Sequence, residues 1–166
     1  MDAIVAVYAD WGIGCGGTQP IALQADRAFF RRTTQGACVI VGRRTLGDFP
    51  GGKPLPNRHT IVLSAQGVQI PGAWTALTPP DAAQMAKETG KPVFVIGGAS
   101  VYRAMLPYCR RVLVTKLSAQ PVSDVFFPDL DADPQWICTQ QTEPQSENGI
   151  SYRFCTYERV SPQPRT

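Results

Sequence analysis

The segment that decides the fold reads Val95-Ile96-Gly97-Gly98-Ala99-Ser100-Val101-Tyr102. A short apolar run leads directly into two glycines and then into residues that can start a helix. Glycines at such a turn let the backbone approach a ligand closely, and the free amides of a helix start favour a phosphate. A strand-to-helix turn that binds nothing fits the segment equally well. Because the GxGxxG fingerprint of a Rossmann domain is missing, any dinucleotide would be bound in another way.

Similar apolar runs occur on both sides of this segment, at residues 3–8, 38–41, 60–63, 93–96 and 112–115. Helical patterns lie between them at residues 24–35, 80–89 and 100–106. This alternation predicts an α/β fold with a mainly parallel sheet and helices on its faces. Residues 136–142 and 150–160 predict a closing antiparallel hairpin, with a loop longer than two residues around Ser146, Asn148 and Gly149.

Length and composition predict one soluble, globular domain. The chain has 166 residues, of which 43% are hydrophobic and 17% charged, so a single core over residues 1–160 is expected. The tail at residues 161–166 has two prolines and little to bury, and we expect it to be flexible. The formal net charge of +3 comes from scattered cations. That distribution argues against nucleic-acid binding and is compatible with a small anionic ligand.

Two further absences narrow the class of protein. Five cysteines at irregular spacings and a single histidine argue against a metal site. Asp2 stands where a secretory signal would carry positive charge, and no stretch approaches the roughly 20 apolar residues that a membrane span needs. The expectation is a cytoplasmic protein without a metal, and without a membrane partner.

The segment Gly42-Arg43-Arg44-Thr45 follows a buried apolar run and carries two guanidinium groups and a hydroxyl. Such a set beside a helix start suits phosphate groups, including the 2′-phosphate that distinguishes NADP from NAD. Two solvated arginines on a loop are the alternative.

Two segments are candidates for holding a substrate. Asp26 and Phe30 are four residues apart and share a helix face, so the carboxylate could receive paired hydrogen bonds from a heterocycle while the ring packs on it. An ordinary first-turn Asp is the alternative. Arg58, on a proline-bracketed loop with Leu55, is suited to a carboxylate; an exposed surface Arg is the alternative.

Residues 9–20 form a glycine-rich connection between a strand and a helix. Long connections inside compact domains are often functional, so we expect a mobile lid beside the site. A connection that is merely flexible is the alternative.

The order and spacing of these segments resemble dihydrofolate reductase of the bacterial type, from about residue 3 to residue 160. The most specific matches are GRRT at 42–45, PLPNR with IVLS at 54–64, IGGASVY at 96–102 and DxxFPD at 124–129. The resemblance implies a single-domain fold with a mostly parallel eight-stranded sheet, a C-terminal antiparallel hairpin and about four flanking helices. It implies a monomeric enzyme that reduces 7,8-dihydrofolate to tetrahydrofolate with NADPH, serves one-carbon metabolism and is a target of antifolates.

The resemblance also assigns site residues. Asp26 would be the catalytic residue, the only ionisable side chain in the pterin pocket, and would promote protonation at N5. The other substrate-binding residues that it implies are Ile4, Ala6, Arg27, Phe30, Leu55, Arg58, Ile96, Tyr102 and Thr115. The cofactor-binding residues that it implies are Ala6, Ile13, Gly14, Gln19, Gly42, Arg43, Arg44, Thr45, Leu63, Ser64, Gly97, Gly98, Ala99, Ser100, Val101 and Tyr102. A cis peptide between Gly97 and Gly98 is a further feature of the family.

Three residues depart from the family pattern. Ile21 stands where Trp is usual, Gln19 where Met or Leu is common, and Arg27 where an apolar residue contacts the substrate. These changes predict altered substrate affinity and antifolate response. The nearest alternative function is a reductase of the same fold that acts on a pyrimidine or riboflavin precursor. It would not need Asp26, Phe30 and Arg58 together. A catalytically silent nucleotide-binding protein is the alternative from another class.

Overall fold

The structure, a computed structural model, describes residues 1–160; the predicted flexible tail lies outside the described residues. The helices are α1 Gln24–Thr34, α2 Arg43–Gly47, α3 Pro79–Glu88 and α4 Ala99–Met105. The strands are β1 Asp2–Val7, β2 Gly12–Gly14, β3 Cys38–Gly42, β4 His59–Leu63, β5 Ala73–Ala76, β6 Val93–Gly97, β7 Arg111–Leu117, β8 Val125–Phe126, β9 Trp136–Gln141, β10 Gln145–Glu147 and β11 Ile150–Arg159.

Within residues 1–160 the main sheet has the order β10-β11-β7-β1-β6-β3-β4-β5, and β9 also pairs with β11. The pairs from β7 to β5 are parallel, whereas β11 runs antiparallel to its neighbours. Because β9 and β10 lie end to end along the same edge of β11, nine strands occupy eight positions. The predicted α/β fold, with its mostly parallel sheet, antiparallel hairpin and four helices, is confirmed.

The hairpin turn is tighter than predicted. Glu147 pairs with Ile150, so only Asn148 and Gly149 connect β10 to β11, with φ values of 52° and 77°. Asn-Gly is the preferred sequence for a two-residue turn that needs positive φ at both positions. The expectation of a longer loop was wrong because the polar residues Ser146 and Glu147 continue the edge strand.

The core lies on both faces of the sheet. Along β3, Cys38 and Ile40 belong to a cluster shared with α3 and α4, while Val39 and Val41 belong to a cluster shared with α1 and α2. Successive side chains of a strand point to opposite faces, so continuous apolar runs are what a sheet covered by helices on both sides requires. Among residues 1–160, no helix is long and apolar enough to cross a membrane.

Candidate active site

The carboxyl ends of β3, β4 and β6 meet at one edge of the sheet. Val41 pairs with Gly97, and Gly42 pairs with Leu63. Because α2 starts directly after Gly42, and α4 after Gly98, two strand-to-helix turns lie side by side. In open α/β sheets, ligands bind beyond this end of the strands.

The two turns approach so closely that side chains would collide. A Cβ added to Gly98 would lie 2.9 Å from Thr45 Oγ1, and one added to Gly42 would lie 3.0 Å from Val101 Cγ2. The peptide bond between Gly97 and Gly98 is cis. The glycines therefore let the backbone of the two turns pack directly against Thr45 and Val101.

Cationic and polar groups lie next to these turns. Arg43 and Arg44 are exposed at the start of α2, and Arg43 donates a hydrogen bond to Gln66 Oε1 at 3.2 Å. Leu63 and Ser64 follow at the end of β4, and the Ser64 amide donates to the Ala76 carbonyl at 2.9 Å. The structure thus brings together residues 42–45, 63–64 and 97–102, the main segments predicted to bind the cofactor.

Asp26 lies in the first turn of α1 and faces β7. Its Oδ1 accepts a 2.6 Å hydrogen bond from the hydroxyl of Thr115, a buried residue that pairs with Ala6 of β1. Burial raises the pKa of Asp26, although the Thr115 hydrogen bond and the charge of Arg27 lower it. The carboxyl group therefore holds a proton more tightly than an exposed Asp does.

The other candidate substrate residues include apolar side chains and a buried tyrosine. Ile4 and Ile96 belong to one buried cluster, and Phe30 packs against it. The Tyr102 hydroxyl donates to the Ile4 carbonyl at 2.7 Å. Burial, and secondarily the charge of Asp26, raises the pKa of Tyr102. Among the candidate substrate residues of this region, Asp26 is the one that carries a carboxyl group.

Arg58 is fixed by the other end of α1. Its guanidinium donates to Thr34 Oγ1 at 3.1 Å, to the Arg31 carbonyl at 2.9 Å and to the Pro56 carbonyl at 2.7 Å. Leu55, on the same loop, is half-buried. These bonds hold the guanidinium at the end of the helix that carries Asp26, with one N–H of its five unused.

The predicted lid at residues 9–20 is more ordered than an irregular loop. It contains β2, which pairs with β8, and Ile13 and Gly14 belong to that strand. The Gly16 amide donates to Asp124 Oδ2 at 2.9 Å. This contact ties the outer part of the lid to the loop before β8.

The residues that depart from the family pattern lie around the lid and α1. Gln19 and Arg27 are exposed. Ile21 packs against a cluster that contains Tyr8 and Leu23. The Tyr8 hydroxyl donates to the Ile21 carbonyl at 2.8 Å and accepts from its amide at 2.9 Å. An aliphatic side chain, with no indole N–H, therefore stands where the lid joins α1.

Sequence reasoning missed one residue that supports the site. Glu147 accepts hydrogen bonds from the amides of Gln24 and Ala25, at 2.7 and 3.0 Å. It thereby caps α1, whose N-cap residue Leu23 makes no side-chain cap hydrogen bond. The sequence offered one signal, because the leucine before residue 24 has no side-chain oxygen that could cap the helix. This signal did not indicate which distant side chain provides the cap.

Among residues 1–160, no group of three or more His, Cys, Asp or Glu side chains is placed to hold a metal ion.

The sequence model of the family described as dihydrofolate reductase matches residues 1–159. "Dihydrofolate reductase type A13" of Escherichia coli is 34% identical over 157 residues, which cover 94% of this chain and 92% of the relative. Dihydrofolate reductase of Bacillus subtilis is 32% identical over 159 residues, covering 94% and 92%.

A third relative, dihydrofolate reductase HdrB of Haloferax volcanii, is 33% identical over 167 residues, covering 96% of this chain and 83% of the relative. These similarities extend over the strands, turns and helices that build the edge of the sheet described above. The chain therefore belongs to the dihydrofolate reductase family of oxidoreductases.

Proposed function

We propose that the protein reduces 7,8-dihydrofolate to 5,6,7,8-tetrahydrofolate, with NADPH as the hydride donor, and so supplies one-carbon metabolism. The observation that carries the proposal is the hydrogen bond between the half-buried carboxyl group of Asp26 and Thr115, on the same helix that packs Phe30 against the apolar cluster of Ile4 and Ile96. A related reductase with another substrate would not need this carboxylate together with the fixed guanidinium of Arg58.

The residues around the glycine turns fit a phosphorylated nicotinamide cofactor. Gly42 and Gly98 let the backbone of the two turns approach closely, and the start of α4 presents backbone donors without a capping side chain. Arg43, Arg44 and Thr45 supply the charge and hydroxyl that a 2′-phosphate would need, which is why we propose NADPH rather than NADH. When bound, NADPH supplies the hydride that goes to C6 of the pterin.

The protein residues would then orient the substrate and supply its proton. The Asp26 carboxylate would accept hydrogen bonds from the pterin edge, Phe30 would pack on the ring, and Arg58 would hold the glutamate carboxylate. Asp26 would promote protonation of N5 through a water, and burial favours this role because it raises the pKa of the carboxyl group. Tyr102 cannot serve as the acid, because its hydroxyl donates to the Ile4 carbonyl and its pKa is raised.

The test is to follow oxidation of NADPH by purified protein with and without dihydrofolate, and with NADH in parallel. We expect oxidation that requires dihydrofolate and is faster with NADPH. An Arg44→Glu variant should lose the preference for NADPH, while an Arg103→Glu variant, changed at an exposed position of α4, should keep it. Binding of NADPH without turnover of dihydrofolate would refute the proposed substrate; equal rates with both cofactors would refute the proposed cofactor.

A further inference from the structure

A second cleft lies at the opposite end of the sheet from the site described above. It has a volume of about 590 Å³ and is lined where β1, β6 and β7 begin, at Asp2, Val93 and Arg111. Strands rise about 3.3 Å per residue, so the five residues of β6 separate this cleft from Gly97 by more than 10 Å. Its volume is within the range of small-molecule sites.

The lining of the cleft is rich in cationic side chains. It contains four of them, Lys87, Lys91, Arg110 and Arg111, and the single carboxylate Asp2. The excess of positive over negative side chains favours an anionic ligand.

Asp2 forms ion pairs with the two arginines of this set, while the two lysines stay unpaired within residues 1–160. Arg111 holds Asp2 with a 2.8 Å bond, whereas Arg110 Nε lies 3.8 Å from the other carboxylate oxygen, and its side chain is 72% exposed. That oxygen, Asp2 Oδ1, is buried and lacks a hydrogen-bond partner. Lys87 and Lys91 form no ion pair with any residue in 1–160.

The positions of the two lysines are not explained by the helix alone. Lys87 lies in the last turn of α3, where a cation is favoured by the helix dipole. Lys91 lies beyond the helix end; burial, and secondarily the charge of Lys91, lowers the pKa of His59 at the start of β4. Both lysines line the cleft, but only Lys87 is placed to stabilise the helix dipole.

Apolar residues also line the cleft. They are Ala83, Pro92, Val93 and Phe94, and Phe94 is only 7% exposed. Apolar residues beside cationic ones suit an anion that carries an apolar body. We propose that the cleft binds a phosphate monoester with an aromatic or aliphatic body, with its phosphate held by Lys87, Lys91 and Arg110. This site is independent of the proposed reduction of dihydrofolate.

The test is a titration of the full chain with phenyl phosphate, followed by backbone amide NMR. We expect saturable shifts at Asp2, Val93 and Arg111. The Lys87→Glu/Lys91→Glu variant should bind at least about tenfold more weakly, because charge-assisted bonds to the phosphate are lost. Inorganic phosphate should bind more weakly than phenyl phosphate, because it lacks the apolar body. Equal affinities would refute the role of the apolar lining residues.

A matched control separates this cleft from the other phosphate-suited edge of the sheet. The Arg43→Glu/Arg44→Glu variant should keep its affinity for phenyl phosphate at the cleft. Shifts confined to residues 42–45 and 97–102, or unchanged binding by the lysine variant, would overturn the proposal. A Lys87→Gln/Lys91→Gln variant provides the same comparison without charge reversal, in case the glutamate variant does not fold.

Discussion

The cap that Glu147 places on α1 gives the most direct test of how the hairpin supports the site. Its two carboxylate oxygens accept from the Gln24 and Ala25 amides at 2.7 and 3.0 Å. These are the first residues of the helix, and Asp26 follows them immediately. Replacing Glu147 with Ala removes both acceptors and their negative charge from the helix N-terminus.

The expected loss of stability follows from these two contributions. Loss of an N-cap side chain costs about 0.5–2 kcal/mol, and loss of a negative charge at a helix start costs about 0.3–1 kcal/mol. Because these hydrogen bonds are partly exposed, we expect about 1.5 kcal/mol for Glu147→Ala. In a chain of this size, 1 kcal/mol corresponds to roughly 2–4 °C in Tm. Tm should therefore fall by about 3–6 °C.

The activity should fall as well, because Asp26 lies in the loosened turn. If the free energy lost from the cap appears in the transition state, kcat/KM falls by up to about tenfold. Glu147→Gln, which keeps one carbonyl acceptor, should show a smaller loss in both quantities. Urea denaturation and steady-state rates provide the measurements.

Glu158→Ala is the matched control, because Glu158 is an exposed acidic residue of β11 whose side chain makes no hydrogen bond or ion pair with the residues that the structure describes. It should leave Tm and kcat/KM within error of the parent protein. If Glu147→Ala behaves like Glu158→Ala, the two hydrogen bonds contribute nothing to α1, and the reasoning is refuted.

Three further changes test the site. Burial raises the pKa of Asp26, so the stability that its protonated form provides is complete below the unfolded-state pKa and is lost as pH rises through the folded-state pKa. Asp26→Asn should therefore unfold at higher urea than the parent at about pH 7, yet transfer hydride slower by orders of magnitude; a near-parental rate would exclude Asp26 as the catalytic group. Gly98→Ala should weaken NADPH binding by about tenfold or more in a fluorescence titration. The reason is that the new Cβ would lie 2.9 Å from Thr45 Oγ1 and would force the turn to move. Unchanged affinity would show that the turn adapts. Asp124→Ala removes the acceptor for the Gly16 amide and should increase hydrogen exchange of the lid amides and lower kcat/KM a few-fold; unchanged exchange would show that this bond does not hold the lid.

Secondary structure could be predicted where apolar residues form unbroken runs. The prediction of a strand at residues 38–41 agrees with β3, Cys38–Gly42, and the helix predicted at 24–35 agrees with α1, Gln24–Thr34. Strand β5, Ala73–Ala76, was missed. It is a short edge strand with Trp74 60% exposed, and it is defined by pairing with β4 rather than by a pattern of its own.

The candidate site was predictable where its residues lie within one helix or one turn. The spacing of Asp26 and Phe30 indicated a shared face, and the glycine pair at 97–98 indicated a close approach. Their partners were not visible in the same way. The neighbour that a Cβ on Gly98 would strike is Thr45, and this contact exists only because β3 and β6 are adjacent in the sheet.

The contacts that hold the lid and α1 in place share a property that explains why the sequence did not reveal them. Glu147 binds the Gln24 amide across 123 residues, and Asp124 binds the Gly16 amide across 108 residues. In both cases the donor is a backbone N–H, which every residue except proline provides. A carboxylate that binds a backbone amide requires no particular side chain on the residue that donates the amide. No sequence pattern therefore marks that residue. The acidic residue alone looks like any exposed surface carboxylate until the fold brings the two segments together.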